Sequence, residues 1–155
     1  MTDIDVFAAA PPAIPAAGER LPEFSRETSF DTWNRYAAVN DEFLGIHMDD
    51  EEGRAAGMSG AFGMGNMQIA YMHNLLRDWL DGHGRIVKVS AQFRRPNVKG
   101  RITVAATVVA TRVQGDETFI DLDITSRHEN GDILTPATAT IAIGTVRETV
   151  DLGPG

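Results

Sequence analysis

Hydrophobic positions along the chain change their period once. Between Gly65 and Leu80 the residues Met72, Leu75, Leu76, Trp79 and Leu80 recur at helical spacing. The first half of that stretch (Met67, Ile69, Ala70, Tyr71, Met72) is apolar almost all round, which predicts a helix buried on most sides and ended by Gly82. After Gly84 the period is two. Val87, Val89, Ala91 and Phe93 alternate with Lys88, Ser90, Gln92 and Arg94, and Ile102, Val104, Ala106 and Val108 repeat the pattern. Ile120, Leu122 and Ile124 follow, then Ala137, Ala139, Ile141 and Ile143. Gly115-Asp116 and Asn130-Gly131-Asp132 are turn signals between these runs. The expected fold is α+β: one long helix wrapped by an antiparallel sheet of about five strands.

Upstream, residues 1–20 are rich in Ala and Pro, and Pro11, Pro12 and Pro15 block a helix, so a flexible arm is expected. Pro22 to Phe30 suits a short strand, and Asp31 is a candidate N-cap for a one-sided helix through Trp33, Tyr36, Ala37 and Val39. A long Gly- and acid-rich connection follows, with one helical turn expected around Glu51–Ala56. The domain is expected to run over 21–148, followed by a tail at 149–155.

Composition removes several classes. Lys plus Arg is 14 against 22 Asp plus Glu, a net charge of −8, which disfavours nucleic acid as a partner. No apolar run approaches the ~20 residues of a membrane span. The first residues carry acids and no early Lys or Arg, unlike a secretory signal. There is no cysteine, which excludes disulfides, thiolate metal sites and cysteine nucleophiles and fits a cytoplasmic setting. Gly57-Met58-Ser59-Gly60-Ala61 lacks the last Gly of a nucleophile elbow, and no βαβ unit surrounds Gly60, Gly63 and Gly65. His47, Asp49 and Asp50 lack a second His at ligand spacing, so no metal is expected.

The connection itself carries the chemistry. Glu42 and His47 lie five residues apart and lead into a Gly-rich stretch and the helix start at Gly65. A carboxylate and an imidazole in one loop can hold a water and move its protons. Open N–H groups at Gly65 and Asn66 can polarise a carbonyl oxygen. A structural loop with a hydrogen-bonded His is the plainer alternative.

These residues together form a familiar pattern: Tyr36-Ala37-Ala38, then Glu42 and His47, then Gly57 through Gly65, then Phe93-Arg94-Arg95-Pro96 with Gly100. Over about residues 18 to 145 the chain resembles the MaoC-like dehydratases of the hotdog superfamily, which include the (R)-specific enoyl-CoA hydratases. The resemblance implies a single hotdog domain that pairs with a second hotdog subunit, as a homodimer or a heteromer. It implies addition of water to a trans-2-enoyl thioester, or its removal, with Glu42 as general base, His47 as its partner and Gly65 as donor to the thioester oxygen. It implies no cofactor beyond the coenzyme A of the substrate. Three positions depart from the family pattern. The usual Asp is Glu42 (Asp41 precedes it), an Asn is Leu44, and a His is Met64. These changes suit a large apolar acyl group such as a steroid side chain, and equally a half-site subunit whose partner carries the chemistry. A hotdog thioesterase is a further alternative. Leu44, Met64 and Asn66 are expected to face substrate. Arg94, Arg95 and Lys99, clustered with Arg101, are either coenzyme A phosphate ligands or a solvated strand end.

Overall fold

The computed structural model describes residues 11–144. The outer ends of the expected arm and domain, and the 149–155 tail, lie outside the described residues. Chain order is β1 (Phe24–Thr28), α1 (Phe30–Asn40), a single 3-10 turn (Gly45–His47), α2 (Asp50–Ala55), α3 (Gly65–Leu80), β2 (Gly84–Ala91), β3 (Gly100–Gln114), β4 (Glu117–His128) and β5 (Ile133–Gly144). One five-stranded antiparallel sheet has the order β1-β3-β4-β5-β2.

The alternation of period two is realised on β3, β4 and β5. Ile102, Val104, Ala106 and Val108, then Ile120, Leu122 and Ile124, then Ala139, Ile141 and Ile143 are all buried. They pack on the apolar face of α3, where Met67, Met72, Leu75, Leu76 and Leu80 are buried. Each fully buried Leu or Ile contributes about 1.5–3 kcal/mol, so this helix-on-sheet layer dominates the stability.

Several expectations are adjusted. On β2 the register shifts between Ile86 and Lys88, so Ile86 joins the core and Val87 is left 42 % exposed. A bulge of this kind moves every side chain before it to the other face. Helix α1 is capped by Ser29 in place of Asp31, with the Ser29 N–H donating to Thr32 Oγ1 at 2.9 Å. Helix α3 passes into left-handed backbone at Asp81 (φ 44°), one residue before Gly82 (φ 81°). Residues 18–21 of the expected arm and domain start run along β3: Gly18 N–H donates to Val108 O, Val108 N–H to Glu19 O and Leu21 N–H to Ala106 O.

Candidate active site

The connection from α1 to α3 is held by its own polar residues. Helix α1 ends at Asp41 in the left-handed region (φ 53°), and Glu42 N–H donates to Ala37 O at 3.0 Å. Asp49 Oδ1 accepts the N–H groups of Glu51 (2.7 Å) and Glu52 (3.0 Å), capping α2. Asp50 accepts from Ala61 N–H at 2.9 Å and pairs with Lys99 Nζ at 2.9 Å. Both acids beside His47 are thus engaged in structure. Among the described residues no cluster of His, Asp and Glu has the arrangement of a metal site.

His47 is 6 % exposed and sits edge-on to the Phe62 ring, with centroids 5.0 Å apart. Its Nδ1 lies 2.6 Å from the Phe62 carbonyl oxygen. A carbonyl can only accept, so Nδ1–H donates, and Nε2 of the neutral ring carries the lone pair. That tautomer is a proton acceptor pointing away from the Phe62 backbone. Glu42 is half-buried, and its carboxylate makes no hydrogen bond or ion pair with the described residues, His47 included. Burial, and then the negative charge of Glu42, push the Tyr36 hydroxyl above its usual pKa.

Phe62 also lines a groove of about 280 Å³ whose wall includes Met58, Gly65, Phe93 and Pro96. The groove lies at the N-terminus of α3, where Met67 N–H is taken by Met64 O (3.1 Å). The amides of Gly65 and Asn66 stand at the open helix end, where no intrahelical acceptor is available. A side chain on Gly65 would place its Cβ 3.3 Å from the Phe93 ring and narrow the approach to its N–H. Gly63, two residues earlier, is fixed more tightly. Its N–H donates to Asn97 O at 2.7 Å, and a Cβ there would lie 2.5 Å from Trp33 Nε1. The Asn97 side chain is buried and accepts from Thr28 Oγ1 at 3.1 Å. These contacts set the position of the segment that presents Gly65.

The structure brings His47, Phe62, Gly65, Arg94 and Arg95 to one region. Leu44 is 48 % exposed, and its carbonyl accepts the His47 N–H at 3.0 Å. Asn66 is exposed at the helix start. Met64 does not line the groove: it is buried in the core, where an apolar side chain before the helix gains most. Arg94 and Arg95 rim the groove, Arg94 bonded to Gln92 and Arg95 paired with Asp132 at 3.2 Å. Lys99 turns away to Asp50 and lies 3.9 Å over the Phe30 ring, and Arg101 pairs with Glu27 at 2.7 Å. Gln68 belongs to none of the sequence motifs. It is 1 % exposed, lines the groove and accepts from Thr135 Oγ1 at 2.7 Å. Its one signal was a polar residue interrupting an otherwise apolar helix face.

No family model matches the chain, and no curated protein matches it. Solved structures do. The R-hydratase PhaJ1 of Pseudomonas aeruginosa is 15 % identical with a TM-score of 0.74, covering 94 % of each chain. The (R)-hydratase of A. caviae involved in PHA biosynthesis is 17 % identical with a TM-score of 0.72, covering 82 % of this chain and 96 % of that one. The ChsH1–ChsH2 complex of Mycobacterium tuberculosis contributes a match at 18 % identity and a TM-score of 0.73, covering 84 % and 99 %. The chain therefore has the hotdog fold, in the form taken by the (R)-hydratases and MaoC-like dehydratases.

Proposed function

We propose that this chain adds water to a trans-2-enoyl thioester, or removes it from the 3-hydroxyacyl thioester, as an enoyl-CoA hydratase or dehydratase. The observation that carries the reading is the His47–Phe62 contact. It fixes an imidazole in the tautomer that accepts a proton, on the residue that also lines the groove below the open end of α3. Such a base contributes ~10²–10⁴-fold when it reaches the water it activates.

The steps balance without a redox partner. His47 Nε2 takes a proton from water that Glu42 helps to orient, and the hydroxide oxygen bonds to C3 of the enoyl group. The C2–C3 π pair moves toward the thioester, whose oxygen gains negative charge that the Gly65 N–H meets. The proton held by His47 then returns to C2. Arg94 and Arg95 at the rim suit the phosphates of coenzyme A, since guanidinium matches phosphate geometry. The test is mass spectrometry of crotonyl-CoA incubated with the purified protein. The expected result is a product heavier by one water, and the same mixture reached from 3-hydroxybutyryl-CoA.

A second reading is favoured by one feature. Phe43 is 60 % exposed and Leu44 48 %, side by side in the loop that carries the proposed base. Exposed apolar residues beside a site suit cover by another chain. On this reading the chain supplies half of a site to a second hotdog subunit, as paired subunits occur in the ChsH1–ChsH2 complex. Isolation from native cells distinguishes the two: a stoichiometric second hotdog chain supports the half-site, and a homo-oligomer active alone excludes it.

A further inference from the structure

Gln68 has a place in the groove that the roles given above leave unused. It stands three residues after Gly65 on α3, so the two share a helix face. Helical side chains lean toward the N-terminus, which turns the Gln68 carboxamide back toward the Gly65 end. The orientation of that carboxamide is fixed from both sides. The Arg95 carbonyl, 3.4 Å from Nε2, can only accept, so the NH₂ group faces it. The oxygen then faces Thr135, whose hydroxyl donates at 2.7 Å and is itself fully buried. A primary amide has two N–H donors. The Arg95 carbonyl takes one at long range, and the other has no acceptor among the described residues. Around it, Phe62, Phe93 and Pro96 offer no side-chain acceptor, Met58 offers only a weak thioether, and Asn97 Oδ1 already accepts from Thr28 Oγ1.

We propose that Gln68 is a second donor to the carbonyl oxygen of the bound thioester, beside the Gly65 N–H. This deepens the hydratase reading and rests on it: the groove recognises an acyl thioester through two converging N–H groups, one from the backbone and one from a side chain pinned by Thr135. A carbonyl oxygen has two lone pairs and accepts both, and the donors matter more as negative charge builds on it.

The test compares two ligands that differ at one atom group: butyryl-CoA, and its thioether S-butyl-CoA, in which a methylene replaces the carbonyl. Binding of each to the full chain is measured by calorimetry, with no turnover required. The wild type is expected to prefer the thioester by about tenfold or more, because a site built to hydrogen-bond an oxygen rejects the analogue lacking it. In Gln68→Met, which keeps the volume, that preference is expected to fall to about threefold or less with thioether affinity unchanged. If Gln68→Met retains the full preference, the assignment of Gln68 is overturned while the hydratase reading stands. If the wild type binds neither ligand, the hydratase reading falls and this inference with it. Thr135→Val is the second variant, for the case in which Gln68→Met does not fold. It keeps Gln68 and frees its carboxamide, so a reduced preference supports the assignment and an unchanged one overturns it.

Discussion

His47 and Phe62 are joined twice, by the 2.6 Å contact from the ring Nδ1 to the Phe62 carbonyl and by the edge-on packing of the two rings. Fifteen positions apart in sequence, they link the 3-10 turn after α1 to the segment that enters α3. The contact does structural and chemical work together, and the two are separable. Replacing His47 by Ala leaves a carbonyl without its donor and is expected to cost about 1–3 kcal/mol of stability. His47→Gln can keep a donor to Phe62 but has no basic nitrogen. It should therefore melt closer to the wild type than His47→Ala while being equally inactive on crotonyl-CoA. Parallel thermal melts and hydration assays check this.

Gly65→Ala is expected to separate fold from function. Its Cβ would sit 3.3 Å from the Phe93 ring, and Phe93 is half exposed and free to swing by a few tenths of an ångström. The melting temperature should hold, whereas the methyl intrudes where the thioester oxygen approaches. A displacement near 1 Å costs about a hundredfold in rate, so kcat should fall by about that factor. Unchanged kcat would remove Gly65 from the site.

Gly63→Ala should behave in the opposite way. A Cβ there meets Trp33 Nε1 at 2.5 Å and Asn97 Nδ2 at 2.7 Å, and both residues are fully or almost fully buried with no room to retreat. Overpacking of this kind costs about 1–3 kcal/mol or more. Chemical denaturation should show the loss, and fluorescence should shift as Trp33 is displaced.

Asp50 gives a pH dependence. The Lys99 ammonium bonded to it, and then the Ala61 N–H, hold its carboxyl below the usual aspartate range. A carboxyl lowered in the folded state contributes stability that is present above its unfolded pKa and is lost as pH falls through the folded one. Asp50→Asn should therefore melt below the wild type at neutral pH, and the gap should close as the pH drops below about 4. The pair is exposed, so the effect is small. A gap that stays constant down to pH 3 would show that the pairing contributes nothing.

Much of this architecture was legible in the sequence. The long helix falls on Gly65–Leu80 as its apolar spacing predicts, and the expected inward residues of β3 and β4 are buried; on β5 Ala139, Ile141 and Ile143 are buried as expected, Ala137 only partly, and Leu134, Thr135 and Ala142 are buried outside the alternation. What alternation cannot carry is a change of phase. On β2 the shift between Ile86 and Lys88 exchanges the faces, so Val87 points out although it continues the pattern of Val89 and Ala91. Pair order in the sheet, with β2 beside β5 at one edge, was likewise not written in any local signal. At the site, His47 and Gly65 stood out by residue type and spacing. Gln68 and Asn97 did not, because their roles come from partners at Thr135, Thr28 and Gly63, each far away along the chain. The basic cluster divides for the same reason. Lys99 and Arg101 are drawn to Asp50 and Glu27, leaving Arg94 and Arg95 at the groove.

The central claim is that His47 moves protons for hydration of an enoyl thioester. It is tested most directly by following crotonyl-CoA with wild type and His47→Ala, recording loss of the conjugated absorbance and release of free thiol in the same cuvette. The account predicts that the wild type removes the absorbance without releasing thiol, and that His47→Ala does neither. Thiol release by the wild type, or equal loss of absorbance in both proteins, would contradict it.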